Sequence, residues 1–150
     1  MSGEATRVEE IRPPHTHLAL SALRELRPGQ DDDAELIRQV DEVLRPAGYR
    51  LVGVFEGDAS AVAIAGFREA HNLAWGHHIY VDDLSTVASA RGRGHAGALL
   101  EWVREEALRL GCGQVHLDSG VGLDRADAHR LYLRSGFVIS SHHFARRAAD

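Results

Sequence analysis

The run Arg91-Gly92-Arg93-Gly94-His95-Ala96-Gly97 follows a β-type stretch and opens an amphipathic helix, and no other segment restricts the fold as much. Glycines let the backbone approach a ligand closely, while the free N–H groups and the dipole of a helix start favour an anion. Such a cradle takes a phosphate-bearing ligand. The helix is expected over Ala96 to Leu110, because Ala96, Leu99, Leu100, Val103, Ala107 and Leu110 recur at helical spacing and form a stripe that faces a sheet. Glu105 stands four residues before Arg109 in the favourable order, and Gly111 supplies the stop.

Gly92-x-Gly94-x-x-Gly97 also spells the dinucleotide-binding fingerprint. That reading wants the loop after the first strand of a βαβ unit, with an acidic residue about 20 positions on. Here the loop lies past mid-chain, position 112 is Cys, and the first acidic residue beyond the helix is Asp118. Too little chain follows to build the remaining strands.

Along the chain, Val8 to Arg12 reads as a first strand ended by Pro13-Pro14. Two helices follow, one with Leu18, Leu20, Leu23 and Leu26 on its apolar face. The other comes after Asp33 with Leu36, Ile37, Val40 and Leu44, and is closed by Pro46 and Gly48. Leu51 to Phe55 and Ala61 to Phe67 read as a hairpin around Glu56-Gly57-Asp58. His78 to Val87 is the fourth strand, Gln114 to Asp118 the fifth, Arg125 to Ser135 a helix, and Phe137 onward the last strands. The order is β-α-α-β-β-β-α-β-α-β, with a final hairpin strand left open: an α/β fold on a mixed sheet.

With 150 residues, 44% of them apolar, one domain spanning 1–150 is expected, with roughly 1–6 a loose tail. Twenty-two acidic against 17 basic residues give a net charge of −5, which argues against a nucleic-acid-binding face. No apolar run approaches the roughly 18 residues of a membrane span, the N-terminus lacks an apolar signal core, and the single Cys112 excludes an internal disulfide. A cytoplasmic location without membrane partners is therefore expected.

Arg91-x-x-Gly94-x-Ala96 is similar to the Arg/Gln-x-x-Gly-x-Gly/Ala signature of the GNAT acyltransferases, and Ala128-x-x-x-Tyr132-x-x-x-Gly136-Phe137 resembles the segment that follows the fifth strand in that superfamily. The two motifs occur in the right order and at the right distance. The specific likeness covers the chain from about Ile79 to its end; earlier residues match by order of elements only. The resemblance implies a GNAT-like domain in which Arg91, Gly92, Arg93, Gly94, His95, Ala96 and Gly97 hold the pyrophosphate of acetyl-CoA. It further implies that main-chain groups of Leu84, Ser85 and Thr86 run beside the pantetheine arm and polarise the thioester carbonyl. Tyr132 takes the place of the general acid that protonates the leaving thiolate.

An amine acceptor is protonated at neutral pH, so its attack requires a base. Asp82 and Asp83 are the leading candidates, with His78, Asp118 and ordered water as alternatives. Regular strand alternation would put Asp82 on the face of Leu84 and Thr86, and Asp83 on the other. Many superfamily members carry Asn seven residues before the tyrosine, where this chain has Arg125, a residue able to meet the adenosine phosphate or to remain a solvated helix-start residue. Arg91 and Arg93 likewise read as phosphate partners or as surface charge.

Ten histidines include the pairs His15/His17, His77/His78 and His142/His143, without zinc-type spacing, and no metal is expected. Cys112 reads as structural. Asp127 to Arg134 with Ser141-His142-His143-Phe144 looks like the close of the aminoalkylphosphonate N-acetyltransferase branch, which acetylates small primary amines. The expected function is acetyl transfer from acetyl-CoA to a small-molecule amine by direct attack, in a protein that could form a homodimer. A non-catalytic coenzyme A binding or sensing module is the alternative.

Overall fold

The computed structural model describes residues 5–149, so most of the expected N-terminal tail lies outside the described residues. The chain divides into two compact units, Met1–Leu117 and Asp118–Asp150.

In the first unit, strands β1 (Arg7–Ile11), β2 (Tyr49–Phe55), β3 (Ala63–Asn72), β4 (Gly76–Thr86) and β5 (Gln114–Leu117) form one sheet in the order β1-β2-β3-β4-β5. Neighbours are antiparallel except β4 and β5, which run parallel. The crossover between that pair is α3 (His95–Leu110). Alternation along β2 explains how the sheet is covered on both sides. Tyr49, Leu51 and Phe55 pack with Leu20 and Leu23 of α1 (Leu20–Leu26) and Leu36 of α2 (Asp33–Arg38). Val52 and Val54 point the other way, to Leu99, Val103 and Ala107 of α3. Each such fully buried aliphatic side chain contributes roughly 1.5–3 kcal/mol relative to exposure.

Local chemistry sets the element ends. The Asp32 carboxylate accepts the Glu35 N–H at 3.1 Å and caps α2, one residue earlier than the sequence suggests. Beyond Arg38 the helix continues as a wide π-type turn, Gln39–Leu44, then as a 3-10 turn, Arg45–Ala47. Pro46 has no N–H to donate back along the helix, so the regular bonding pattern stops there. The β3–β4 hairpin is longer than expected. It reaches Asn72 and restarts at Gly76, and the Asn72 side chain accepts the Trp75 N–H at 2.6 Å across the turn.

Arg50 of β2 ties β1, β2 and α3 together, donating to Glu10 at 2.9 Å and to Glu106 at 2.5 Å, while Arg109 donates to Glu106 at 2.6 and 2.7 Å. The Arg109 hydrogen bonds, reinforced by Arg50, hold Glu106 down at about 2 from its ordinary 4.5. A depressed carboxylate adds stability that is complete above about pH 4.5 and is lost as pH falls toward 2. Glu106→Gln should therefore lower unfolding stability at pH 7 by about 2 kcal/mol, a figure reduced for the solvent around Arg109. It should also blunt the decline between pH 4.5 and pH 2. Urea titrations at several pH values measure both.

The second unit holds a 3-10 turn, Leu123–Arg125, and helix α4, Ala126–Arg134. The strands expected from Phe137 onward are not formed: residues 137–149 carry neither helix nor strand. A strand exists only in a ladder, and among the described residues none pairs with this segment. Its apolar residues Val138, Ile139 and Phe144 are exposed, so no buried face fixes a register.

Candidate active site

Helix α3 begins where the cradle was expected. Gly92 and Gly94 have φ of +79° and +81°, the left-handed region in which side chains are strained. A Cβ built at Gly94 would meet no protein atom within 4 Å, so the chain's own packing does not demand glycine there. Gly94 is the N-cap residue, its carbonyl accepts the Ala98 N–H at 3.0 Å, and no side chain caps the helix. The N–H groups of His95, Ala96 and Gly97 thus stand at a positive helix end without intrahelical acceptors.

The charged residues of the cradle are engaged with carboxylates. Arg91 donates to Glu25 at 3.1 Å and to the Thr86 carbonyl at 3.3 Å. Arg93 clamps Glu56 at 2.7 and 2.8 Å, and the buried His95 ring meets the same carboxylate through Nε2 at 2.9 Å. Arg93, then His95, lowers the Glu56 pKa. The side chain of His95 thus serves the loop's own structure. Neither Glu25 nor Glu56 stood out in the sequence, because an acid distant in sequence gives no sign of its partner.

β4 leads into this cradle. Its ladder with β5 covers His78 to Val81 only, while its pairing with β3 continues through Leu84, Ser85 and Thr86. Over that stretch β4 has no ladder partner on its second side among the described residues. The register also shifts: Gly66 stands opposite Asp83 and Phe67 opposite Val81, which leaves Asp82 as the extra residue of a β-bulge. This corrects the expected alternation. Asp82 takes two hydrogen bonds from Arg68, at 2.7 and 2.9 Å. Asp83 takes one from Arg27 of α1 and one from the Tyr49 hydroxyl, each at 2.7 Å. Arg68, next to the α3-facing Phe67, and Tyr49 both belong to the sheet face covered by α1 and α2, so the two carboxylates share that face while Leu84 packs toward α3.

Burial, with Asp83 next to it, pushes the Tyr49 phenol well up, so it stays protonated and donates. Tyr49 lies across Gly66, where any side chain would collide with its ring. That lone glycine inside a strand pattern was the sequence's sign of both the bulge and the close approach. On the same face, Trp75 stacks on His116 at 3.7 Å and meets the edge of His78 at 5.2 Å. The buried His78 is oriented by a 2.8 Å hydrogen bond from Nδ1 to the Gly76 carbonyl. Burial, with His78 beside it, lowers the His116 pKa. Trp75 was missed because it sits in the hairpin turn.

Within the second unit, Tyr132 is buried on α4 with its ring edge-on to Phe137 at 6.2 Å. Burial raises its pKa, and Arg125 acts in the opposite sense. Asp118 pairs with His143 at 3.0 Å. Cys112, in the first unit, is buried, and burial raises its thiol pKa, which suits a structural rather than a nucleophilic group.

The glycine-opened start of α3 is thus preceded by a bulged strand that parts from its parallel neighbour. Residues 15–137 match the acetyltransferase (GNAT) family. The uncharacterized N-acetyltransferase YhdJ of Bacillus subtilis strain 168 is 33% identical over 125 residues, covering 83% of this chain and 85% of that protein. An aminoalkylphosphonate N-acetyltransferase of Salmonella typhimurium strain LT2 is 33% identical over 66 residues, 44% of this chain and 42% of its own length. In structure, the aminoglycoside N-acetyltransferase AAC(6')-Iy in complex with CoA superposes with a TM-score of 0.82 at 16% identity, over 99% of this chain and 98% of that one. The chain belongs to the GNAT acetyltransferase family. Among the described residues, no helix is long and apolar enough to cross a membrane.

Proposed function

We propose that residues 1–150 act as one catalytic domain that transfers an acetyl group from acetyl-CoA to a small primary amine. The pyrophosphate is held by main-chain N–H groups of Gly92 to Gly97, with Arg91, Arg93 and Arg125 as its charged surroundings. Leu84, Ser85 and Thr86 lie along the pantetheine arm and offer main-chain groups to the thioester carbonyl. The acceptor ammonium first loses one proton to solvent, and the neutral amine nitrogen then attacks the thioester carbon and yields a second proton to the base. The C–S bond then breaks, the sulfur takes a proton from Tyr132, and the proton held by the base returns to the Tyr132 oxygen. The observation that carries this reading is the bulge, which gathers Asp82 and Asp83 on one sheet face just before the stretch of β4 that lacks its second ladder partner. An ammonium that takes the place of Arg68 on Asp82, or of Arg27 on Asp83, would meet a carboxylate able to accept its proton directly or through water. The names of the relatives, acting on aminoalkylphosphonates and aminoglycosides, support a small-molecule acceptor.

Release of free thiol from acetyl-CoA, measured over a panel of such amines, tests the proposal. Turnover should rise from about pH 6 to about pH 8 with the deprotonated fraction of the amine. Asp82 faces Arg68, and Asp83 faces Arg27 and Tyr49, so the two sites differ in surroundings. Asp82→Asn and Asp83→Asn, made singly, should lower kcat in one variant and raise KM in the other. Coenzyme A binding with no turnover on any amine would favour a sensing module instead.

A further inference from the structure

We propose that Glu69, His77 and Cys112 form a site for a divalent zinc-type ion, seated between the β3–β4 hairpin and the loop that follows α3. A carboxylate oxygen, an imidazole nitrogen and the thiol sulfur of these residues all lie within 4.8 Å of one another. The spacing of the three in the sequence hides the site, because strand pairing and a helix crossover bring them together. His71 stands opposite His77 in the ladder, so Glu69, two residues before His71, projects on the same face as both. That is the face of Phe67, which packs in one cluster with Cys112.

The geometry suits an ion of this size. His77 Nε2 and Glu69 Oε2 are hydrogen-bonded at 2.5 Å, a contact that an ion standing between them would replace. Tetrahedral zinc, with bonds of about 2.0–2.2 Å to nitrogen and oxygen and about 2.3 Å to sulfur, separates its ligands by about 3.2–3.7 Å, so the cluster needs only side-chain rotation to close on it. His77 is supported from two sides. Its carbonyl accepts the Gly113 N–H at 2.9 Å, and its ring lies flat on His71, 4.3 Å away and tilted by 4°. Sulfur and imidazole donors select zinc-type ions over magnesium or calcium. Charge balances as well: thiolate, carboxylate and neutral imidazole neutralise a dication. On binding, the thiol proton leaves to solvent, the imidazole proton moves from Nε2 to Nδ1, and water completes the shell.

This site is separate from acyl transfer. Cys112 follows the C-terminal end of α3 and the cradle precedes its start, with 16 helical residues between them, about 24 Å of helix. The ion would clamp the hairpin to the helix exit.

Cobalt(II) titration of the metal-free protein is the test. Stoichiometric cobalt should give the near-ultraviolet band of a thiolate–cobalt bond together with visible bands of a tetrahedral site, both removed by equimolar zinc. Zinc should also raise the thermal midpoint. Cys112→Ser should abolish the sulfur band, and the exposed Glu69→Gln, which does not disturb the core, should weaken binding at least tenfold. Cobalt absorption without a sulfur band, as surface histidines would give, or a sulfur band that persists in folded Cys112→Ser, overturns the proposal.

Discussion

Coenzyme A affinity should be lost, by at least on the order of 10²-fold, when Gly94 is replaced by Asp. Two effects act together. A side chain at φ +81° occupies the open space above the helix start, where a ligand phosphate would sit, and its negative charge opposes the pyrophosphate. Folding should survive, because the Cβ meets no protein atom and Asp tolerates the left-handed region better than most residues, at a cost of about 1 kcal/mol. Titration calorimetry decides the matter. Unchanged affinity in a folded Gly94→Asp protein would remove the cradle from the proposal.

The second large effect is on turnover. Tyr132→Phe should lower kcat by on the order of 10²-fold, the scale of losing a general acid, while coenzyme A affinity stays near that of the parent. The substitution deletes a hydroxyl and keeps the ring that meets Phe137. Burial raises the phenol pKa against the opposing influence of Arg125, so the proton is present throughout the neutral range. A general acid in that state can deliver it to a departing thiolate. An unaffected kcat on a good amine would make Tyr132 a packing residue.

Much of the frame was legible because its signals are local. Helical periodicity from Ala96 to Leu110 and the Gly111 stop located α3 to within a residue, and the Gly-rich entry located its uncapped start. What escaped depended on partners distant in sequence. The face of Asp82 turned on a register shift against Gly66, so period-two counting misplaced it. The last strands were placed from Phe137 onward, yet a strand is defined by its ladder, and residues 137–149 have none here. Glu25 and Glu56, which hold the arginines of the cradle, come from other elements, and no spacing rule reaches that far.

The bulge on β4 also changes what kind of alteration the strand can absorb. Ile79 and Val81 pack toward α3 before it, and Leu84 does so after it, so the inward-facing positions pass from odd to even numbers across one surplus residue. Excising Asp82 would leave Asp83 directly after Val81, with every other side chain still on its own face. The strand therefore behaves as a regular one into which a single acidic residue has been spliced. Insertion or deletion at this one position thus adds or removes a carboxylate without carrying any core residue to the other face of the sheet.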